Sequence, residues 1–258
     1  MTSTCFTPRA ASVFAFVAAA LAPCAAFAQA APLSDRLVGD VGLGVYSTQS
    51  IIRSKDNDTT VLPYVYADKG RFFARVDTFG VKTIPLGAGY LEFAGRVSQD
   101  GWKADTAALR GLQDRKTPIP LGIGTFQETP YGGIFLNAFV DANKSHGGLF
   151  EAMYAAKFTL GAFSFYPQAG VEYTTKKYSN YFYGVTAAES AASGYAAYEA
   201  GASTAPMLGL AVEVPVADSW KLSLQYRHKW LDSAVKNSPL VSRNSQDTAF
   251  VALSYQFK

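Results

Sequence analysis

Trp220-Lys221-Leu222-Ser223-Leu224-Gln225-Tyr226-Arg227-His228-Lys229-Trp230 is the stretch that decides the fold. Trp220, Leu222, Leu224, Tyr226, His228 and Trp230 recur at every second position, and Lys221, Ser223, Gln225, Arg227 and Lys229 fill the places between. Side chains alternate faces along a strand, so one face is apolar and the other polar and cationic. The stretch is about twice as long as an ordinary soluble strand of ~5–6 residues. It matches the ~9–11 residues with which a tilted strand crosses hydrocarbon. A tryptophan at each end of the apolar face has the placing of an interfacial aromatic girdle.

The same period of two recurs along the chain. Leu208, Leu210, Val212, Val214 and Val216 alternate with Gly209, Ala211 and Glu213; Phe150, Ala152, Tyr154, Ala156 and Phe158 alternate with Glu151, Met153, Ala155 and Lys157. Phe163 to Tyr173, Ile134 to Val140 and Val251 to Phe257 read alike. An open sheet edge in lipid would leave backbone groups unpaired, so the sheet must close on itself. The expected fold is all-β: a transmembrane antiparallel up-and-down β-barrel. Its strands are read at 37–48, 58–67, 71–77, 79–85, 88–98, 119–128, 133–142, 149–159, 163–175, 205–216, 220–231 and 247–257. That makes twelve strands, an even number as in bacterial single-chain barrels. Ten is the alternative, because 71–77 and 79–85 are short and interrupted by Gly80 and Pro85. Counting back from a periplasmic C-terminus makes Ala217-Asp218-Ser219 a periplasmic turn and puts 99–118, 176–204 and 232–246 outside. Long loops outside and short turns inside are the expected asymmetry.

Residues 1–28 read as a signal peptide and 29–258 as the barrel domain. Arg9 precedes an apolar run from Ala10 to Ala22 that is too short for a ~20-residue membrane helix. Pro23 ends the run, and Ala26-Phe27-Ala28 is an A-x-A cleavage site before Gln29. Both cysteines, Cys5 and Cys24, lie in this segment. A mature chain without cysteine fits passage through an oxidising periplasm, where a disulfide would trap the unfolded chain.

Composition limits the remaining chemistry. A formal charge of +3 is too small to argue for nucleic acid. Of the two histidines, His228 sits on the apolar strand face, where an amphipathic ring belongs at headgroup depth. His146 lies in the turn sequence Asn143-Lys144-Ser145-His146-Gly147-Gly148. Ser145 and His146 are neighbours in the chain and lack a third group to orient them as a nucleophile and base. Asp56-Asn57-Asp58 has the oxygens of a calcium loop but no spaced glutamate or glycine, so it reads as a solvated loop. Gly42 and Gly44 open no G-x-G-x-x-G and read as strand glycines that allow close packing. The residues therefore nominate no catalytic, cofactor or metal site, and the chain reads as non-enzymatic. On the lumen face, Arg96, Lys157, Lys221, Arg227 and Lys229 oppose Glu92, Asp141, Glu151, Glu172 and Glu213. This balance suggests internal ion pairing more than a selective pore. The tyrosine-rich loop 176–204 suits either an adaptable contact surface or a plug folded inward.

Two motifs carry a family resemblance. Leu109-Arg110-Gly111-Leu112-Gln113-Asp114-Arg115 is one; Tyr178-Ser179-Asn180-Tyr181-Phe182-Tyr183-Gly184-Val185 with Glu189-Ser190 is the other. With the hairpin from Leu62-Pro63 to Phe72-Phe73, they resemble the MipA/OmpV family of outer-membrane proteins, across essentially all of the mature chain. Phe182 stands where the family usually has tyrosine. The resemblance implies a barrel in the outer membrane of a Gram-negative-type cell, in contact with outer-membrane lipid. It further implies a scaffold that joins a murein transglycosylase to a murein synthase, or alternatively a surface adhesin. The charged lumen leaves a narrow diffusion channel as another alternative. No functional residue is carried over with the resemblance.

Overall fold

Alternation of apolar and polar residues puts one face of every strand outward and the other into a lumen. The computed structural model describes residue 30 and residues 32–257. The proposed signal peptide, both cysteines and Lys258 lie outside the described residues. The strands are β1 Val38–Thr48, β2 Asp58–Lys69, β3 Phe72–Arg75, β4 Thr78–Leu86, β5 Gly89–Arg96, β6 Pro120–Thr129, β7 Gly132–Asp141, β8 Gly148–Ala156, β9 Phe158–Leu160, β10 Phe163–Thr174, β11 Ser203–Ala217, β12 Trp220–Trp230 and β13 Ser245–Phe257. β8 and β9 are two pieces of one stave, broken at Lys157; both pair with β10. Each stave is antiparallel to its neighbours in sequence, and β1 pairs with β13 from Gly39↔Phe257 to Thr48↔Thr248. The result is a closed barrel of twelve staves. β3 and β4 are separate strands, so twelve holds and ten is not needed.

The apolar face lies on the outside of the barrel. Leu43, Val61, Phe93 and Leu208 are all more than half exposed, as lipid-facing side chains are when no lipid is present. Trp220 packs edge-on to Tyr255 at one end of this band, and Trp230 packs edge-on to His228 at the other. These are the two aromatic girdles.

The ends of the barrel differ. At one end the strands join through the two-residue turns 70–71, 87–88, 130–131, 161–162 and 218–219. Gly70, Gly87 and Gly161 open three of these with φ near 60°, the left-handed geometry of a tight hairpin turn. At the other end lie 49–57, 97–119, 142–147, 175–202 and 231–244. They hold helices α1 Lys176–Tyr183, α2 Ala187–Ser193 and α3 Ser233–Lys236. Short turns face the periplasm and long loops the exterior.

One stave pair is short. β3 meets β2 only from Tyr66↔Arg75 to Lys69↔Phe72, then reverses through Val76-Asp77 into β4. Residues 58–64 of β2 therefore have β1 as their only neighbouring strand. Val61 pairs with Val45, which pairs with Val251. The gap in the wall thus reaches down to the depth of lipid-facing side chains.

Candidate functional site: a plugged outer mouth

The loop 176–204 folds inward. α1 lies in the outer mouth, where Tyr178 and Phe182 pack with the inward-facing Phe73, Ala94, Phe139 and Leu149. Phe182 and Phe139 are each 1% exposed. The apolar packing that holds the helix comes from the barrel interior, so the helix acts as a plug. Above it, Ile51, Trp102, Leu109, Val185, Leu231 and Leu240 from different loops form a second core.

Every residue of the α1 motif has a defined contact. The Tyr178 hydroxyl donates to Asp100 Oδ2 at 2.6 Å. Burial, and then the nearby Asp100 carboxylate, push that phenol well above its ordinary range. The Ser179 hydroxyl meets Thr174 Oγ1 at 2.7 Å, and Asn180 Oδ1 accepts from the Ala200 N–H at 2.9 Å. The Tyr181 hydroxyl accepts from the Lys116 N–H at 3.0 Å. The Phe182 carbonyl accepts from Trp102 Nε1 at 3.1 Å, and the Tyr183 carbonyl accepts from the Ser238 hydroxyl at 2.6 Å. A turn of helix whose side chains and terminal carbonyls are spoken for by four other segments holds a single pose.

The other motif locks onto it. Arg115 Nη2 lies 2.8 Å from Glu189 Oε1, with side-chain exposures of 8% and 3%. The same nitrogen donates to the Gly184 carbonyl at 3.2 Å, and the guanidinium lies 5.4 Å from the Trp102 ring centroid and 5.8 Å from that of Tyr181. Glu189 also accepts from the Gln113 N–H at 3.0 Å and closes a capping box with Thr186 at the start of α2. Burial would raise the Glu189 carboxyl, but the Thr186 and Gln113 donors and the Arg115 charge outweigh it and hold the group below the usual range. Gly111, at φ 88°, brings its backbone against α2: a Cβ there would lie 2.5 Å from the Ala192 carbonyl oxygen. Gly147 does the same below α1, where a Cβ would lie 2.2 Å from the Tyr178 nitrogen.

The lumen beneath the plug is crossed by ion pairs. Arg96 lies 2.8 Å from Glu151, and Lys229 lies 3.1 Å from Glu172. Lys221 bridges Asp40 at 2.5 Å and Glu213 at 3.2 Å. Asp68 holds Arg75 at 2.8 Å and Lys82 at 3.1 Å, a group the sequence reading missed. Two members of the expected set sit elsewhere. Lys157 is exposed at the break between β8 and β9. Asp141 organises the loop 142–147, accepting from the Ile119, Asn143 and Ser145 N–H groups and from the Ser145 hydroxyl at 2.7–2.9 Å.

The remaining candidates fall apart spatially. The Ser145 hydroxyl is engaged by Asp141, while His146 is exposed at φ 48°. His228 Nδ1 lies 2.6 Å from Asp247 Oδ1 beside the outer girdle, which also takes the Tyr226 hydroxyl at 2.6 Å. A Cβ at Gly42 would lie 2.0 Å from the Leu253 carbonyl oxygen, and one at Gly44 would lie 2.6 Å from the Phe250 ring. These glycines serve close packing, and Phe250 stacks on Tyr64 at 5.9 Å inside the barrel.

Comparison with known proteins agrees with this architecture. The profile described as MltA-interacting protein MipA matches residues 41–257. YiaT of Escherichia coli K12, named an outer membrane protein, is 26% identical over 84% of this chain and 90% of its own. The MltA-interacting protein of the same organism is 27% identical over 58% of this chain and 60% of its own. OmpV of Vibrio cholerae is 27% identical over 58% of both chains. A closed barrel with girdles at both rims, matched by that profile across nearly all its staves, belongs to the MipA family of outer-membrane proteins.

Proposed function

We propose that this protein is a non-enzymatic scaffold of the cell envelope, acting through protein contacts and not through passage of solutes. The plugged mouth is the observation that supports this reading: α1 is packed into the barrel interior and cross-bonded to the loops around it. A barrel closed at its outer end offers a rigid platform, and its periplasmic rim of two-residue turns faces the murein layer. Tyr131, 77% exposed at that rim, is well placed for contact. The name MltA-interacting protein, borne by a relative, makes a murein transglycosylase the first partner to seek, with a murein synthase bridged through it.

The test is a photo-crosslinking residue at Tyr131 or Asp218 in cells. A crosslink to a murein transglycosylase is expected. Absence of envelope-protein crosslinks from every periplasmic turn would overturn the scaffold. The channel reading is separable by planar-bilayer recording, where the intact protein should be silent. Steady conductance would favour diffusion through the charged lumen. Export through residues 1–28 belongs to the same proposal, and N-terminal sequencing of the mature protein should begin at Gln29.

A further inference from the structure

One acid stands on the lipid-facing side of the barrel where the strand period calls for an apolar residue. Asp247 shares its face of β13 with the exposed Val251, Leu253 and Tyr255. Across the ladder it meets His228 of β12, one outward-facing position inside Trp230 of the outer girdle. Ionisable residues in membrane-spanning segments are rare and tend to mark function. Girdle aromatics sit at the level of the lipid headgroups, so Asp247 faces the headgroup zone of the outer leaflet.

The carboxylate is fixed through one oxygen and open at the other. Oδ1 lies 2.6 Å from His228 Nδ1 and accepts from the Tyr226 hydroxyl at 2.6 Å. A carboxylate only accepts, so His228 Nδ1 carries the hydrogen. Among the described residues Oδ2 has no hydrogen-bond partner, and it is not buried; the side chain is 36% exposed. Two rings stand beside it on the same face. Tyr226 is 52% exposed and Trp230 43%, so both offer ring surface to the lipid side. Arg243, exposed on the outer side of Asp247, gives its Nε to the Ser50 carbonyl at 3.2 Å. Its Nη groups have no partner among the described residues, and its charge reaches Asp247.

We propose that this patch binds the headgroup of a phospholipid that carries a primary ammonium. The ammonium would lie on Asp247 Oδ2 beside the Tyr226 and Trp230 rings, and the phosphate toward Arg243. A primary ammonium has hydrogens to give the carboxylate, and an aromatic face attracts its charge. A quaternary ammonium keeps the ring attraction but has no hydrogen to donate. A glycerol headgroup brings no positive charge at all. Arginine suits the phosphate because its planar donors match phosphate oxygens. The place of the patch on the lipid face makes the ligand a membrane lipid and not a free solute. This proposal stands independently of the scaffold reading.

Native mass spectrometry of the folded protein in a non-ionic detergent tests it, with dilauroyl phosphatidylethanolamine, phosphatidylcholine and phosphatidylglycerol as probes. Phosphatidylethanolamine should bind about tenfold more tightly than the other two. Asp247→Asn should bring it down to the level of phosphatidylcholine. Trp230→Leu removes a ring but no acceptor, and should weaken both ammonium lipids about threefold while leaving phosphatidylglycerol unchanged. Arg243→Gln should weaken all three alike. Equal binding of the three lipids by the unaltered protein would overturn the proposal. So would a preference for phosphatidylethanolamine that survives Asp247→Asn, or binding of both ammonium lipids that is indifferent to Trp230→Leu.

Discussion

Two of the ion pairs in the outer loops are nearly equal in length, and they are not equivalent. Arg115–Glu189 spans 2.8 Å with both side chains under a tenth exposed; Lys55–Asp105 spans 2.7 Å with exposures of 23% and 55%. The first is surrounded by further donors and by two aromatic rings. The second joins the loops 49–57 and 97–119 above the short wall. Distance alone would rank them together. Burial separates them, because an exposed pair exchanges one good environment for another, whereas a buried charge that loses its partner has nowhere to go. The outer face therefore has a locked half around α1 and α2 and a loosely latched half over β3–β4.

Glu189→Ala should break this contrast most severely. It strands the Arg115 guanidinium and removes the α2 capping box, with a local cost of about 3–5 kcal/mol. Faster hydrogen exchange across α1 and α2, with the barrel strands unchanged, is the expected outcome. Unchanged exchange would mean that α1 is held by its apolar contacts alone. Gly111→Ala should cost less, about 1–3 kcal/mol, because it forces a side chain into a left-handed backbone and against the Ala192 carbonyl. Limited proteolysis of the loop 97–119 measures it.

Acid should have a graded effect. The folded Glu189 carboxyl lies below its unfolded value near ~4.3. Its stabilisation is complete above that value and is lost as pH falls through the folded one. Trp102 fluorescence should accordingly hold steady down to about pH 5 and change only below about pH 4. A transition near neutrality would point to another group. Lys55→Ala should have the smallest effect, under about 1 kcal/mol. Its signature is easier solvent access to Trp102 without loss of the α1 fold.

The barrel was legible because membrane strands obey a period of two over lengths that soluble strands seldom reach. Trp220 to Trp230 gave the face assignment, and the girdle positions followed from it. Even the weak pair at 71–85 resolved as two strands, though the text of the chain gave no sign that β3 would stop at Arg75. The two motifs were visible as motifs. That Arg115 meets Glu189, or that Tyr181 meets Lys116, was not, because nothing local ties residues some seventy positions apart. Asp141 was misplaced for a related reason. It sits on the lumen parity, but at the last position of its strand the backbone N–H groups of the following turn outcompete a distant cation.

The sequence by itself determined the strand period, the lipid-facing band and the polarity of the lumen, because these depend only on neighbours along the chain. The tertiary structure decided that α1 enters the mouth, which charges meet across the lumen and where the wall is open. Those outcomes depend on closure of the sheet, which sets distant residues at one height inside a space too narrow to leave their charges and aromatic rings apart.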